Sequence, residues 1–125
     1  MNLESLIGQK ITKVEYVESN EELVIATAKY VATFQDDFQP AGDAGYVSFV
    51  PHKEIPDFKG ATVLSLVHKT SDQGPSEKLD SVQKECLAHW EEITLVTDQG
   101  ESTFYFANYD GGWDNGMLSI RVTPV

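Results

Sequence analysis

One stretch concentrates the side chains suited to recognition: Asn108-Tyr109-Asp110-Gly111-Gly112-Trp113-Asp114-Asn115-Gly116. Its two aromatics, two carboxylates, two asparagines and three glycines set apolar anchors beside hydrogen-bonding groups on an adaptable backbone, which is the composition of a binding loop. Tyr109, Asp110, Trp113 and Asp114 are the candidate partner-binding residues, with Glu101 as a peripheral charge. The competing reading is a long hairpin loop whose Trp113 folds back over a sheet. Calcium is not expected there, because Asp110 and Asp114 lack the intervening ligands and the distal glutamate of an EF-hand.

Catalytic chemistry finds little support. His52, His68 and His89 are scattered, with neither His-x₃-His nor Cys-x₂-Cys spacing, so no metal site is expected. Each histidine reads as a surface or satisfied core residue. No Gly-x-Ser-x-Gly elbow occurs, and Gly111-Gly112-Trp113 falls between strands rather than ahead of a helix, so no nucleotide cofactor is expected. The acidic pairs Glu21-Glu22 and Glu91-Glu92 open strands, where neighbouring side chains point to opposite faces. That is poor geometry for two cooperating carboxylates, and both pairs read as solvated charge.

The elements that must position these residues are mostly strands. Alternation and β-branched content mark 10–17, 21–27, 29–35, 45–50, 61–69, 91–97, 101–108 and 116–123. Phe104 and Phe106 share one face of their strand, as do Leu118, Ile120 and Val122 of the last one. Asp98-Gln99-Gly100 has hairpin-turn chemistry. The apolar parity slips between Ile11 and Val14, the mark of a bulge or a late start. After Gly74-Pro75 the period changes: Ser76 can cap a helix over 76–88 with Leu79, Val82, Cys86 and Leu87 on one side and Asp80 paired to Lys84. The expected fold is therefore α+β, a mainly antiparallel sheet with one principal helix lying on a face.

The chain also matches itself. Leu6-Ile7-Gly8 before Ile11 and Val14 has the spacing of Asp57-Phe58-Lys59-Gly60 before Val63 and Leu66. Glu21-Glu22 through Thr27 corresponds to Glu91-Glu92 through Thr97, with Phe34 and Phe104 at one offset, and Gly45-Tyr46-Val47-Ser48 corresponds to Gly116-Met117-Leu118-Ser119. Three blocks in one order point to an internal duplication. The pseudo-repeats would cover about 5–50 and 57–122 of a single domain 1–125, with a helical insertion near 72–90 in the second.

The 125 residues carry 9 Lys+Arg against 20 Asp+Glu, a formal net charge of −11. That field repels nucleic-acid backbones and anionic membranes and favours basic partners. From Glu85 to Ile120 there are seven acidic residues and no Lys or Arg. A single cysteine, Cys86, excludes an intramolecular disulfide and suits a reducing cytoplasm. The N-terminal residues lack the basic and apolar segments of a signal peptide.

Leu6-Ile7-Gly8-Gln9-Lys10-Ile11, repeated in kind by Asp57-Phe58-Lys59-Gly60-Ala61-Thr62-Val63-Leu64 and followed by a hairpin and a Gly-rich loop, resembles small uncharacterised proteins of bacteriophages and prophages. The resemblance implies a phage-type context and brings no catalytic residues with it. Together these readings favour a non-enzymatic acidic inhibitor of a basic, nucleic-acid-handling protein, of the anti-defence or toxin-immunity type. The alternative is a protein that binds or sequesters a small molecule or signalling nucleotide. A homodimer is compatible with either.

Overall fold

The computed structural model describes residues 2–36, 47–50, 55–71, 87–109 and 118–125. Eight strands carry the architecture: β1 Ile11–Val17, β2 Glu22–Thr27, β3 Tyr30–Asp36, β4 Val47–Val50, β5 Val63–Ser71, β6 Leu87–Thr97, β7 Gly100–Tyr109 and β8 Leu118–Pro124. They form two antiparallel sheets, ordered β1-β2-β3-β8 and β4-β7-β6-β5. The alternating apolar residues meet in one core between them: Leu23, Ile25, Ala32 and Phe34 from the first sheet face Val63, Leu66, Ile93, Leu95, Phe104 and Phe106 from the second. Phe34 and Phe106 join the layers with ring centroids 6.2 Å apart. Leu118, Ile120 and Val122 lie half-buried against this core from β8. Among the described residues no helix is long and apolar enough to cross a membrane.

The two sheets follow one plan. Each is a three-strand meander completed by a fourth strand from the other half of the chain, β8 beside β3 and β4 beside β7. The halves meet at an isolated antiparallel bridge, Lys10 with Thr62, flanked by reciprocal hydrogen bonds. The Gly8 N–H donates to the Val63 carbonyl at 2.8 Å, as Gly60 N–H does to Ile11; Ile11 N–H donates to Ala61 at 2.8 Å, as Val63 N–H does to Gln9 at 2.9 Å. Gly8 and Gly60 hold φ values of +86° and +88°, a region that L side chains enter only at a cost.

The correspondence continues into the strands. The register slips between Ile11 and Lys13 in β1 and between Val63 and Ser65 in β5, and those bulges sit opposite Thr27 and Thr97. Both threonines close the following hairpin, Thr27 Oγ1 donating to the Tyr30 carbonyl at 2.9 Å and Thr97 Oγ1 to that of Gly100 at 2.8 Å. Leu23 pairs with Phe34 as Ile93 pairs with Phe104. The exchanged strands differ in register: Ile120 lies opposite Phe34, whereas Phe49 lies opposite Phe106 rather than Phe104. The two registers differ by two residues.

This mostly antiparallel β architecture corrects the expected α+β fold with its principal helix. Residues 76–86 of that helix lie outside the described residues, but its last two positions, Leu87 and Ala88, belong to β6, and no helix of seven or more residues occurs among the described ones. The reason is pairing. Leu87 sits opposite Tyr109, His89 opposite Asn108 and Trp90 opposite Ala107, and Trp90 is buried with its ring edge-on to Tyr105 at 6.3 Å. Apolar residues at 87 and 90 fit a helical spacing and equally fit a strand buried on both faces; periodicity over so short a run does not separate the two.

Candidate functional site

The halves diverge at one end of their hairpins. In the first half the last β1–β2 pair is Val17 with Glu22, after which Glu18–Asn20 form a 3₁₀ turn and Glu21 takes a left-handed φ of 50° to close it. In the second half the equivalent pair, Lys69 with Glu92, is followed by Thr70 with Glu91 and Ser71 with Trp90. The hairpin is longer, and its extension continues the inner face of the sheet beyond the apolar core. Leu66, Ile93 and Phe106 give way on that face to His68, Glu91 and Asn108.

These three residues form a hydrogen-bonded cluster across β5, β6 and β7. His68 Nε2 lies 2.7 Å from Glu91 Oε1, and Asn108 Nδ2 donates to Glu91 Oε2 at 2.8 Å. Asn108 is fully buried and Glu91 nearly so, while the His68 side chain is 35% exposed and marks where the cluster meets solvent. Asn108 Oδ1 is buried with no hydrogen-bond partner among the described residues. The carboxylate fixes that orientation, since turning the amide would set Oδ1 against Oε2, acceptor against acceptor. Buried polar atoms left unanswered are uncommon and call for an explanation.

The solvated-charge reading of Glu91 is thereby corrected. It has the parity of Ile93, Leu95 and Thr97, all buried, so it must point inward once the strand extends back to Leu87. Glu21, its counterpart, is exposed. Tyr16, the counterpart of His68 through its pairing with Leu23, has a phenol pushed above its ordinary range by burial first, then by the charges of Glu21 and Glu18. An open recess of about 540 Å³ at this first-half end is lined by Glu18, Ser19, Asn20, Glu21, Glu22 and Gln35.

Of the residues singled out in the sequence, Tyr109 ends β7 and follows Asn108 directly. Asp110, Trp113 and Asp114 lie outside the described residues, as do Cys86 and His52. Glu101 is exposed at the opposite end of β7, opposite Val96. At about 3.3 Å per residue it stands roughly 26 Å along the strand from Tyr109, and the structure does not bring the two together. His68 and Asn108 were not singled out, although both sit at strand parities otherwise occupied by core residues.

Chemically the cluster is a set of acceptors gathered on one carboxylate. In the neutral tautomer that donates Nε2–H to Glu91, His68 Nδ1 is also an acceptor. Among the described residues no group of three or more side chains could hold a metal ion. No family model, curated protein or solved structure matches this chain.

Proposed function

We propose that this chain is a non-catalytic acidic binding protein that blocks a basic, nucleic-acid-handling protein, as an inhibitor of the phage anti-defence or toxin-immunity type does, in a reducing cytoplasm. The carrying observation is the one-signed charge from Glu85 to Ile120, with seven carboxylates and no Lys or Arg, in the half whose β5–β6 hairpin departs from the common plan. Such a field steers a cationic surface into contact, and apolar anchors then hold it. Tyr109, Asp110, Trp113 and Asp114, which follow the cluster in the chain, are the proposed contact residues. Glu101, at the far end of β7, contributes to the field alone.

The test is capture of basic proteins from a host lysate across a salt series, followed by assay of each captured enzyme for inhibition. Expected are nucleic-acid-handling proteins that release as salt rises and lose activity when bound. Capture that ignores salt, or that matches a control domain of equal charge, would reject the reading. With a partner in hand, Trp113→Ala should speed dissociation, whereas Asp110→Asn with Asp114→Asn should slow association chiefly at low salt. Trp113→Ala that binds normally but melts lower would return Trp113 to the core.

A further inference from the structure

We infer that the His68–Glu91–Asn108 cluster is a receptor for one guanidinium group, an arginine side chain of the protein partner. The inference rests on the basic-partner reading and names the group that reading leaves open. It stands on an inventory of atoms. Glu91 accepts one hydrogen bond on each oxygen and keeps further lone pairs, since a carboxylate offers about four acceptor positions. Asn108 Oδ1 is buried and unanswered among the described residues, and in a neutral His68 that donates Nε2–H to Glu91 the Nδ1 atom accepts. Asn108 Nδ2 keeps a second N–H, but the other open positions, on the Glu91 carboxylate, on Asn108 Oδ1 and on Nδ1 of a neutral His68, all accept.

That balance selects the ligand. A phosphate or carboxylate would bring acceptors to acceptors and a second negative charge to a buried one. A guanidinium brings N–H donors in a planar fork and a positive charge that a nearly buried carboxylate can answer. An ammonium offers the charge without the fork. The cluster meets solvent at His68, on the edge strand β5, so a side chain would enter there rather than through the sheet. The first half sharpens the assignment: the corresponding positions there are Tyr16 in β1 and an exposed Glu21 in the turn before β2, and among the described residues the cluster occurs where the hairpin is longer.

The experiment is a titration of the whole chain followed by side-chain amide and histidine NMR. The probe is N-acetyl-arginine amide, whose only charge is its guanidinium. The controls are its neutral citrulline counterpart and tetramethylammonium, which has charge but no N–H. Expected is a saturable shift of the Asn108 amide and His68 ring signals with the arginine compound, weakened by about tenfold or more, the equivalent of 1.4 kcal/mol, for citrulline and for folded Glu91→Gln. The comparison of compounds on the unaltered chain stands even if the variant does not fold. Equal responses to all three compounds, or no response to N-acetyl-arginine amide, would overturn the inference. An ordered water that stays on Oδ1 in a crystal grown with the probe would overturn it as well. Silence here beside salt-sensitive capture of a partner would reject this receptor and spare the basic-partner reading; a saturable response without salt-sensitive capture would support the receptor and reject that reading.

Discussion

Glu91 accepts both hydrogen bonds of the buried cluster, so its loss is felt by two donors at once. In Glu91→Leu the Asn108 amide and the His68 imidazole lose their acceptor in a site that water reaches poorly. Urea melts should show a loss of about 1–3 kcal/mol, the cost of a buried polar group left unmade, and Glu91→Gln, which keeps an acceptor oxygen, should lose less. A matching effect from an exposed control such as Glu15→Leu would show that the cluster contributes nothing specific. Tyr16 gives a second test. Its phenol keeps its proton to higher pH in the folded chain than in the unfolded one, where the ordinary value is 10.0. The folded state therefore binds more protons between the ordinary and the raised value. The resulting stability is complete below the ordinary value and is lost as pH rises through the raised one. Alkaline urea melts should show this slope in the parent and not in Tyr16→Phe. Glu18→Gln with Glu21→Gln should lower the phenol's titration, seen as tyrosinate absorbance, but only in part, because burial is the larger cause.

At the scale of elements, Gly8 and Gly60 occupy matching places beside the Lys10–Thr62 bridge, and a Cβ at either would meet no atom within 4 Å. Replacement by alanine therefore tests backbone strain without a clash. Each should cost about 1–2 kcal/mol, the usual price of a left-handed L-residue, and the two costs should agree; a marked difference in thermal melts would show that the bridge is not equally braced from both sides. Much of this level was legible in the residues. Alternation marks each of the eight strands found among the described residues, and the slipped parity after Ile11 marks the β1 bulge. The end of the expected helix, Leu87 and Ala88, is strand instead, because Leu87 and Trp90 satisfy either period and only the pairing to Tyr109 and Ala107 decides. The cluster was obscured by the same error: with β6 begun at Glu91 rather than Leu87, a glutamate at its first position looks solvated. Nor could spacing show the exchange of β4 and β8, because alternation says which face a residue takes and not which neighbour its strand chooses.

For the whole molecule, the exchange makes each sheet depend on both halves. Residues Leu118–Pro124 supply all of β8, which covers one side of β3 from Tyr30 to Asp36. A chain lacking them should lose the cooperative melt of the parent, and a synthetic peptide of 118–125 should restore it in trans, read by far-ultraviolet circular dichroism. Likewise, fragments separated between Val50 and Ile55 should each remain incomplete and recover both sheets on mixing. A stable, cooperatively melting N-terminal fragment would show that β1–β3 needs no outer neighbour.

The same exchange sets an order of events during synthesis. β3 leaves the ribosome early, but the strand that covers its edge is the last of the eight to be made. At roughly 5–20 residues per second the meander β1–β3 waits on the order of ten seconds with a row of unpaired amides and carbonyls along its open edge. Neighbouring nascent chains on one messenger present the same bare edge within reach of one another. An intermolecular partner taken in that interval would be a β8 from another chain, so a self-contained chain and an entwined dimer differ in whose β8 arrives first.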